Sequence, residues 1–287
     1  MTHTQTAESV IWIASYPKSG NTWVQTVVRA AGRTYGFPNI DLDVYKMKAE
    51  KRTPEVVGGI RKEICKENTT VLKTHNSYSR DRDTHPELGL KTTGFVYVMR
   101  NPLDMLLSYI NFTRMQYEKN KETKAYQEIL FIDLLGFEKA LPYEEWVEMK
   151  LEDIPRVNLD HALCRFTALD TDIPGVKMAG GSWLSHCLSW HEAGKTLPSV
   201  FLKYEDLLKG PEYFLPLKKL FVFSDDQIID AVDSVNQRQR GLQYKRVFFN
   251  KMSSYYYSEL FSNDAISKFL KRFETELKAF GYANLCV

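Results

Sequence analysis

The chain has 287 residues, 44% of them apolar, and a formal net charge of +2. Such a chain can bury a sizeable core within one α/β domain, and the apolar share is ordinary for a soluble globular protein. Acids and bases are interleaved and nearly balanced, which removes any bulk argument for nucleic acid or an anionic membrane as partner but allows a local basic pocket.

The first residues, "MTHTQTAESV", lack a basic region followed by an apolar stretch, and no run approaches the ~18 apolar residues of a membrane span. The expectation is a soluble, unprocessed, cytoplasmic protein. Its four cysteines, Cys65, Cys164, Cys187 and Cys286, are scattered and form no CxxC pair, which fits a reducing compartment. His161 with Cys164, and His186 with Cys187, lack a second pair at ligand spacing. They read as core or surface side chains rather than a metal site.

In chain order, Val10–Ser15 ("VIWIAS") is a short apolar, β-branched run that reads as a buried strand. Asn21 or Thr22 then caps a helix reaching about Gly32, with Trp23, Val27 and Ala30 or Ala31 facing inward. Residues 38–68 are charged and weakly patterned, read as helix and loop. Thr70–Thr74 and Gly94–Arg100 are further buried strands that end in polar residues. Pro102 opens the helix "PLDMLLSYINFTRM". Residues 117–178 read as short helices and loops, Gly180–Gly194 as a helix, Ser199–Leu207 as a fourth strand, and Ser258–Phe280 as a terminal helix. Alternating strands and helices predict α/β architecture: a central parallel sheet flanked by helices, with a phosphate-loop-like turn after the first strand. No repeat, low-complexity tract or linker divides the chain, so residues 1–287 read as a single domain. Nothing in the sequence fixes an oligomeric state.

The turn "SYPKSGNTW" joins the first strand to the first helix. A helix N-terminus leaves backbone N–H groups open and carries partial positive charge; Gly20 permits close approach, Lys18 adds a full charge, and Thr22 offers a hydroxyl. A phosphate fits. So does an ordinary turn with a solvated lysine, and the short motif alone leaves both open. An ATP or GTP loop requires GxxxxGKS or GxxxxGKT, which this turn does not match. The strand "FVYVM" also ends in Arg100 rather than in a magnesium-binding aspartate. Arg100, followed by Asp104 and Ser108 at i, i+4 on the next helix, can build a second anion site instead, with a surface ion pair as the plainer alternative for the arginine.

Taken together, these residues resemble the cytosolic-type sulfotransferases that use 3′-phosphoadenosine 5′-phosphosulfate. "SYPKSGNTW" is similar to that family's 5′-phosphosulfate loop, TYPKSGTTW, and "YVMRNPLDMLLSYINF" to its 3′-phosphate motif. "VLKTHNS" resembles the catalytic strand end, "GSWLSHCLSW" the GSWxxHxxxW helix, and "FLKYEDL" the strand bearing an adenine-contacting tyrosine. The ordered matches run from about Val10 to Phe280.

The resemblance implies that Lys18, Ser19, Gly20, Asn21 and Thr22 hold the 5′-phosphosulfate, with Asn21 replacing the commoner threonine. Trp23 would stack on adenine and Tyr204 reach its edge; without the resemblance each reads as a packed aromatic. Arg100 and Ser108 would bind the 3′-phosphate. His75 would be the general base, at an ordinary pKa of ~6.5, with Lys18 and Lys73 neutralising the leaving oxygen. Ser108 would hold Lys18 away until acceptor arrives. The product is adenosine 3′,5′-bisphosphate (PAP), and no metal is required. The acceptor would be the hydroxyl or amine of a small, polar, specialised metabolite, with acids such as Asp153 and Asp160 as candidate pocket groups.

The resemblance weakens near the C-terminus. The family's FRKGxxGDWxN corresponds to "FFNKMSSYYYSELF", with Asn250 for arginine, Lys251 retained, Met252 for glycine and Tyr257 for tryptophan. Val235 stands where an adenine-packing phenylalanine is common. The rival readings are a non-catalytic nucleotide-binding or scaffold protein of the same fold and, less well supported, an ATP-dependent kinase.

Overall fold

Parallel strands covered on both faces are written as continuous apolar runs, and the first strand follows that rule. In a computed structural model, which describes residues 9–33, 46–47, 54–55, 69–78, 84–85, 90–120, 128–168, 181–242 and 256–285, strand β1 is Ser9–Ala14, and Val10 through Ala14 are all buried. The other strands are β2 (Lys46–Met47), β3 (Pro54–Glu55), β4 (Thr69–Thr74), β5 (Thr84–His85), β6 (Leu90–Met99) and β7 (Ser199–Lys203). The chain divides into two compact units, Met1–Arg100 with His186–Tyr244, and Asn101–Ser185 with Lys245–Val287.

In the first unit β1 lies between β4 and β6, and β7 pairs with the far side of β6, all parallel. The short β5 runs antiparallel to the start of β6, and β2 and β3 pair only with each other. Ala14 stands opposite both Thr74 and Tyr97, and Met99 opposite Lys203. This register ends four parallel strands at one edge, where open α/β sheets gather their ligands.

Helix α1 (Asn21–Arg33) buries Trp23, Val24, Val27, Val28 and Ala31 as one stripe. The stripe packs along a helix at Asp225–Leu242 that buries Ile228, Ala231, Val232 and Val235 at the same period. The expected side-chain cap is absent. Neither Asn21 nor Thr22 serves as one, because both side chains turn toward β4, and the carbonyl of Gly20 instead accepts from Trp23 N–H at 2.9 Å and Val24 N–H at 3.3 Å. The fourth strand is also shorter than expected. It stops at Lys203, and Tyr204–Leu207 is a helical turn, because the "YEDL" stretch satisfies its backbone locally.

In the second unit α2 (Pro102–Asn120) starts behind Asn101, whose side-chain oxygen accepts from Leu103 N–H at 3.0 Å. A π-helical segment at Glu128–Leu134 and three short helices at Tyr143–Glu148, Leu151–Asp153 and Arg156–Ala168 follow. The expected terminal helix is two, Tyr257–Leu260 and Asn263–Ala279, broken where Ser262 caps the second by accepting from Ala265 N–H. Aromatic packing closes this core: Trp183 lies edge-on to Phe273 and Phe280, and Phe166 stacks on Phe269 at 5.9 Å. Among the described residues no helix is long and apolar enough to cross a membrane.

Candidate active site

Four segments leave the ligand edge of the first unit's sheet: the turn Ser15–Gly20 after β1, His75 after β4, Arg100 after β6 and Tyr204 after β7. The turn reaches its shape through two residues in left-handed backbone, Lys18 at φ +71° and Gly20 at φ +99°. Such a conformation is ordinary for glycine and costs a lysine about 1 kcal/mol or more. A Cβ on Gly20 would fall 2.6 Å from Tyr204 Cδ2, so the turn is pressed against the tyrosine ring. The first N–H groups of α1 have no intrahelical acceptor and lie at this turn.

Arg100 belongs to the same cluster. Its Nη1 donates to the Lys18 carbonyl at 3.2 Å, and its guanidinium lies 4.4 Å over the Tyr204 ring. Arg100 Nε is buried with no hydrogen-bond partner among the described residues. Lys73 Nζ donates to Thr22 Oγ1 at 2.9 Å. Three cations thus gather at one turn, and no carboxylate is among the groups that shift Lys18: burial chiefly, then Arg100 and Lys73, push its ammonium down to about 8. An unpartnered buried N–H and like charges packed together are what an anion would relieve.

His75 Nδ1–H donates to the Ser15 carbonyl at 2.9 Å, which assigns the proton to Nδ1 and leaves the lone pair on Nε2. Its ordinary pKa does not hold here. Burial first, then the charges of Lys73 and Lys18, lower it to about 4 against the opposing Ser15 hydrogen bond, so the imidazole is neutral at pH 7.

Trp23 is buried, edge-on to Tyr204 at 5.9 Å and Phe214 at 5.3 Å. Asn21 departs from its expected contact, since its side-chain amide donates to the carbonyls of Ile13 and Thr74, and only its backbone remains for an anion. Ser19 is buried in the turn. Ser108 is half-buried on α2, in the second unit. Lys251, Asn250 and Met252 lie outside the described residues. The acidic candidates have other employment: Asp153 accepts from Lys150 N–H and Asp160 from Ser262 N–H. Among the described residues no group of three or more His, Cys, Asp or Glu could hold a metal ion.

Helices α3 (Tyr143–Glu148) and α4 (Arg156–Ala168) are followed by α5 (Trp183–Ala193), on which His186, taken from the sequence as a core or surface residue, is fully buried beneath the segment that carries His75. Its Nε2–H donates to the His75 carbonyl at 3.2 Å while Tyr97 O–H donates to its Nδ1 at 2.8 Å. Burial lowers His186 to about 3 and raises the neighbouring Cys187 thiol to about 12. Sequence reasoning missed this role; the i, i+3, i+4 spacing of His186, Ser189 and Trp190 carries no meaning until the acceptors are known.

The whole pattern has counterparts. Residues 8–281 match the family described as the sulfotransferase domain. Sulfotransferase 1C2 of Oryctolagus cuniculus is 25% identical over 231 residues, covering 77% of this chain and 61% of that protein. Flavonol 3-sulfotransferase of Flaveria bidentis is 26% identical over 208 residues, covering 70% and 52%. The chain therefore matches about three fifths or less of these relatives' own length. Mouse sulfotransferase SULT7A1, solved in complex with PAP, shares the fold at a TM-score of 0.52 and 17% identity, covering 97% of this chain and 88% of that one. With residues 8–281 of the chain matching that family and the fold shared, the chain belongs to the sulfotransferase family.

Proposed function

We propose that this protein is a sulfotransferase that takes its sulfuryl group from 3′-phosphoadenosine 5′-phosphosulfate and passes it to a hydroxyl or amine of a small polar molecule, and that residues 1–287 work as a single sulfotransferase domain. The observation that carries this reading is the convergence of Lys18, Lys73 and Arg100 with a neutral His75 at one sheet edge. The relatives named as sulfotransferases, and the PAP complex of a protein with this fold, support it.

In this reading the donor supplies an activated sulfuryl group whose leaving oxygen sits on a phosphate. Lys18, Gly20 and the backbone N–H groups of Asn21 and Thr22 hold that phosphate, with Ser19 shaping the turn. Arg100 has donors to spare after the Lys18 carbonyl and takes the 3′-phosphate, a task the family resemblance also gives to Ser108 and Lys251. Tyr204 and Trp23 give the adenine an aromatic wall. His75 Nε2 accepts the acceptor's proton as the new O–S or N–S bond forms and the S–O bond to phosphate breaks, leaving the electron pair on the phosphate oxygen. Lys18 and Lys73 stabilise the charge that grows there. Donor charge would also offset the field of the two lysines at His75, strengthening the base once the donor is in place.

Calorimetry with adenosine 3′,5′-bisphosphate, ADP, and ATP with magnesium tests the reading. Tight binding of the bisphosphate without metal is expected. A preference for ATP with magnesium would replace it with a kinase, and bisphosphate binding without transfer to any acceptor would favour a non-catalytic nucleotide-binding protein.

A further inference from the structure

Among the described residues no neighbouring strand pairs with the backbone of His75–Tyr78, and although Asn76 N–H donates to Thr74 Oγ1 at 3.1 Å, the segment's carbonyls and the Tyr78 N–H need other partners. Helix α5 supplies them from one face. His186 Nε2–H donates to the His75 carbonyl at 3.2 Å, and Trp190 Nε1–H to the Asn76 carbonyl at 3.0 Å. Ser189 Oγ accepts from Tyr78 N–H at 2.9 Å and donates to the carbonyl of His186 at 2.7 Å. Positions 186, 189 and 190 stand at i, i+3 and i+4, one above another on the helix. Each is fixed from behind. The His75 carbonyl can only accept, which puts the His186 proton on Nε2 and leaves Nδ1 to accept from Tyr97 O–H, and Cys187 Sγ lies 3.4 Å from the Tyr97 oxygen. The Tyr16 ring meets His186 edge-on at 5.4 Å, and Trp190 packs against Phe95, Tyr78 and Tyr97.

We infer that His186, Ser189 and Trp190 form a positioning rack that fixes the backbone of His75–Tyr78 and thereby holds the His75 imidazole in one tautomer, with Nε2 in one place. None of the three is a catalytic residue. They act through the main chain, which is why a helix far along the sequence governs a side chain on β4's exit. A base whose backbone is gripped at two successive carbonyls and one N–H cannot slide along the strand axis. A displacement of about 1 Å in a reacting group costs on the order of 10²-fold in rate. The inference rests on the assignment of His75 as the base.

The test is nuclear magnetic resonance of the ¹⁵N-histidine protein, the His75 signals assigned by their loss in His75→Gln, together with kinetics. The titratable groups that face His75 are Lys73 from β4, Lys18 from the turn and His186 from α5, and the first two stay in place in every variant. In the wild type His75 carries its proton on Nδ1 and titrates near 4. His186→Phe keeps a ring and removes the donor; the expected result is mixed tautomers and a His75 midpoint raised by about one pH unit or more as the segment loosens and hydrates. His186→Gln, which can donate from its amide, restores the wild-type pattern. Ser189→Ala gives a smaller shift in the same direction and keeps the inference testable if His186→Phe does not fold. In turnover, kcat falls by roughly 10- to 100-fold while the KM for donor stays within about twofold. An unchanged tautomer and midpoint in folded His186→Phe or Ser189→Ala would overturn the rack. The resonance readout needs no acceptor, so a wild type without transfer activity would count against the proposed function and leave the rack standing.

Discussion

Asn21 and Thr74 are joined across the ends of two parallel strands, the asparagine amide donating to the threonine carbonyl at 3.0 Å while it also donates to Ile13 at 3.1 Å. One planar amide therefore ties the exit of β1 to the exit of β4, the two places from which the phosphate turn and His75 emerge. Asn21→Thr, which installs the residue more usual in this motif, removes an N–H₂ and strands at least one buried carbonyl. Its expected cost is about 1–3 kcal/mol, read as a lower denaturant midpoint at unchanged slope. Equal stability of the two proteins would mean the amide is dispensable.

Under the proposed function, Lys18 should make donor binding sensitive to alkali. In the free protein its ammonium is pushed down to about 8, by burial first and then by Arg100 and Lys73, whereas a bound phosphate favours the charged form. Affinity for adenosine 3′,5′-bisphosphate should hold up to about pH 8 and then fall by up to tenfold per pH unit. Lys18→Arg, whose guanidinium does not titrate in this range, should flatten that limb. A wild-type profile level from pH 7 to 9.5 would place the governing charge elsewhere.

Acid should unfold the first unit for a nameable reason. His75 and His186 titrate in the folded protein near 4 and 3, both below the ~6.5 of an unfolded chain, so the unfolded state binds more protons between these values. The stability they confer is complete above about pH 6.5 and is lost as pH falls through 4. Chemical denaturation at pH 7 and pH 5 should show a proton uptake on unfolding of up to one per histidine. His75→Gln should remove close to half of that dependence; an identical dependence in the variant would show that other groups carry it.

Gly20→Ala should damage the turn twice over. The residue sits at φ +99°, and the new methyl would meet Tyr204 at 2.6 Å. Bisphosphate affinity should drop at least tenfold, as the backbone moves and the Arg100–Tyr204 stack with it. Trimming the ring with Tyr204→Leu relieves the clash but not the backbone strain, so the double variant should recover only in part. Full recovery would mean the contact alone mattered.

Much of the first unit was legible because its signals are local. Short β-branched runs such as "VIWIA" and "GFVYVM" ended in polar residues, and those ends proved to be one edge of one sheet. Lys18 and Arg100 drew attention as cations at the ends of buried strands, Lys73 and His75 through the family resemblance, and the structure sets all four at one edge of the sheet. The side chain of Asn21 was not legible as a strand tie because asparagine serves equally as cap, anion ligand or backbone tie, and only the position of β4 decides among them. The boundary after Lys203 was missed because "FLKYEDL" alternates well enough for a strand, while its last four residues close a helical turn. The role of His186 was not legible at all. Its meaning comes from a carbonyl more than a hundred positions earlier in the chain, which fixes its proton on Nε2, and from a tyrosine hydroxyl on another strand that meets its other nitrogen.

The parallel order of the sheet has a consequence for how the protein is made. The turn, His75, Arg100 and Tyr204 become neighbours only when β7, coming after most of the chain, has docked beside β6. No early fragment ending before β7 holds the arginine under its tyrosine, so such a fragment gains no donor site to stabilise it. Contacts this distant in sequence form late and slowly. Donor present during refolding should therefore leave the early, collapse-dominated phase untouched and act on the final step, when the last parallel strand comes in.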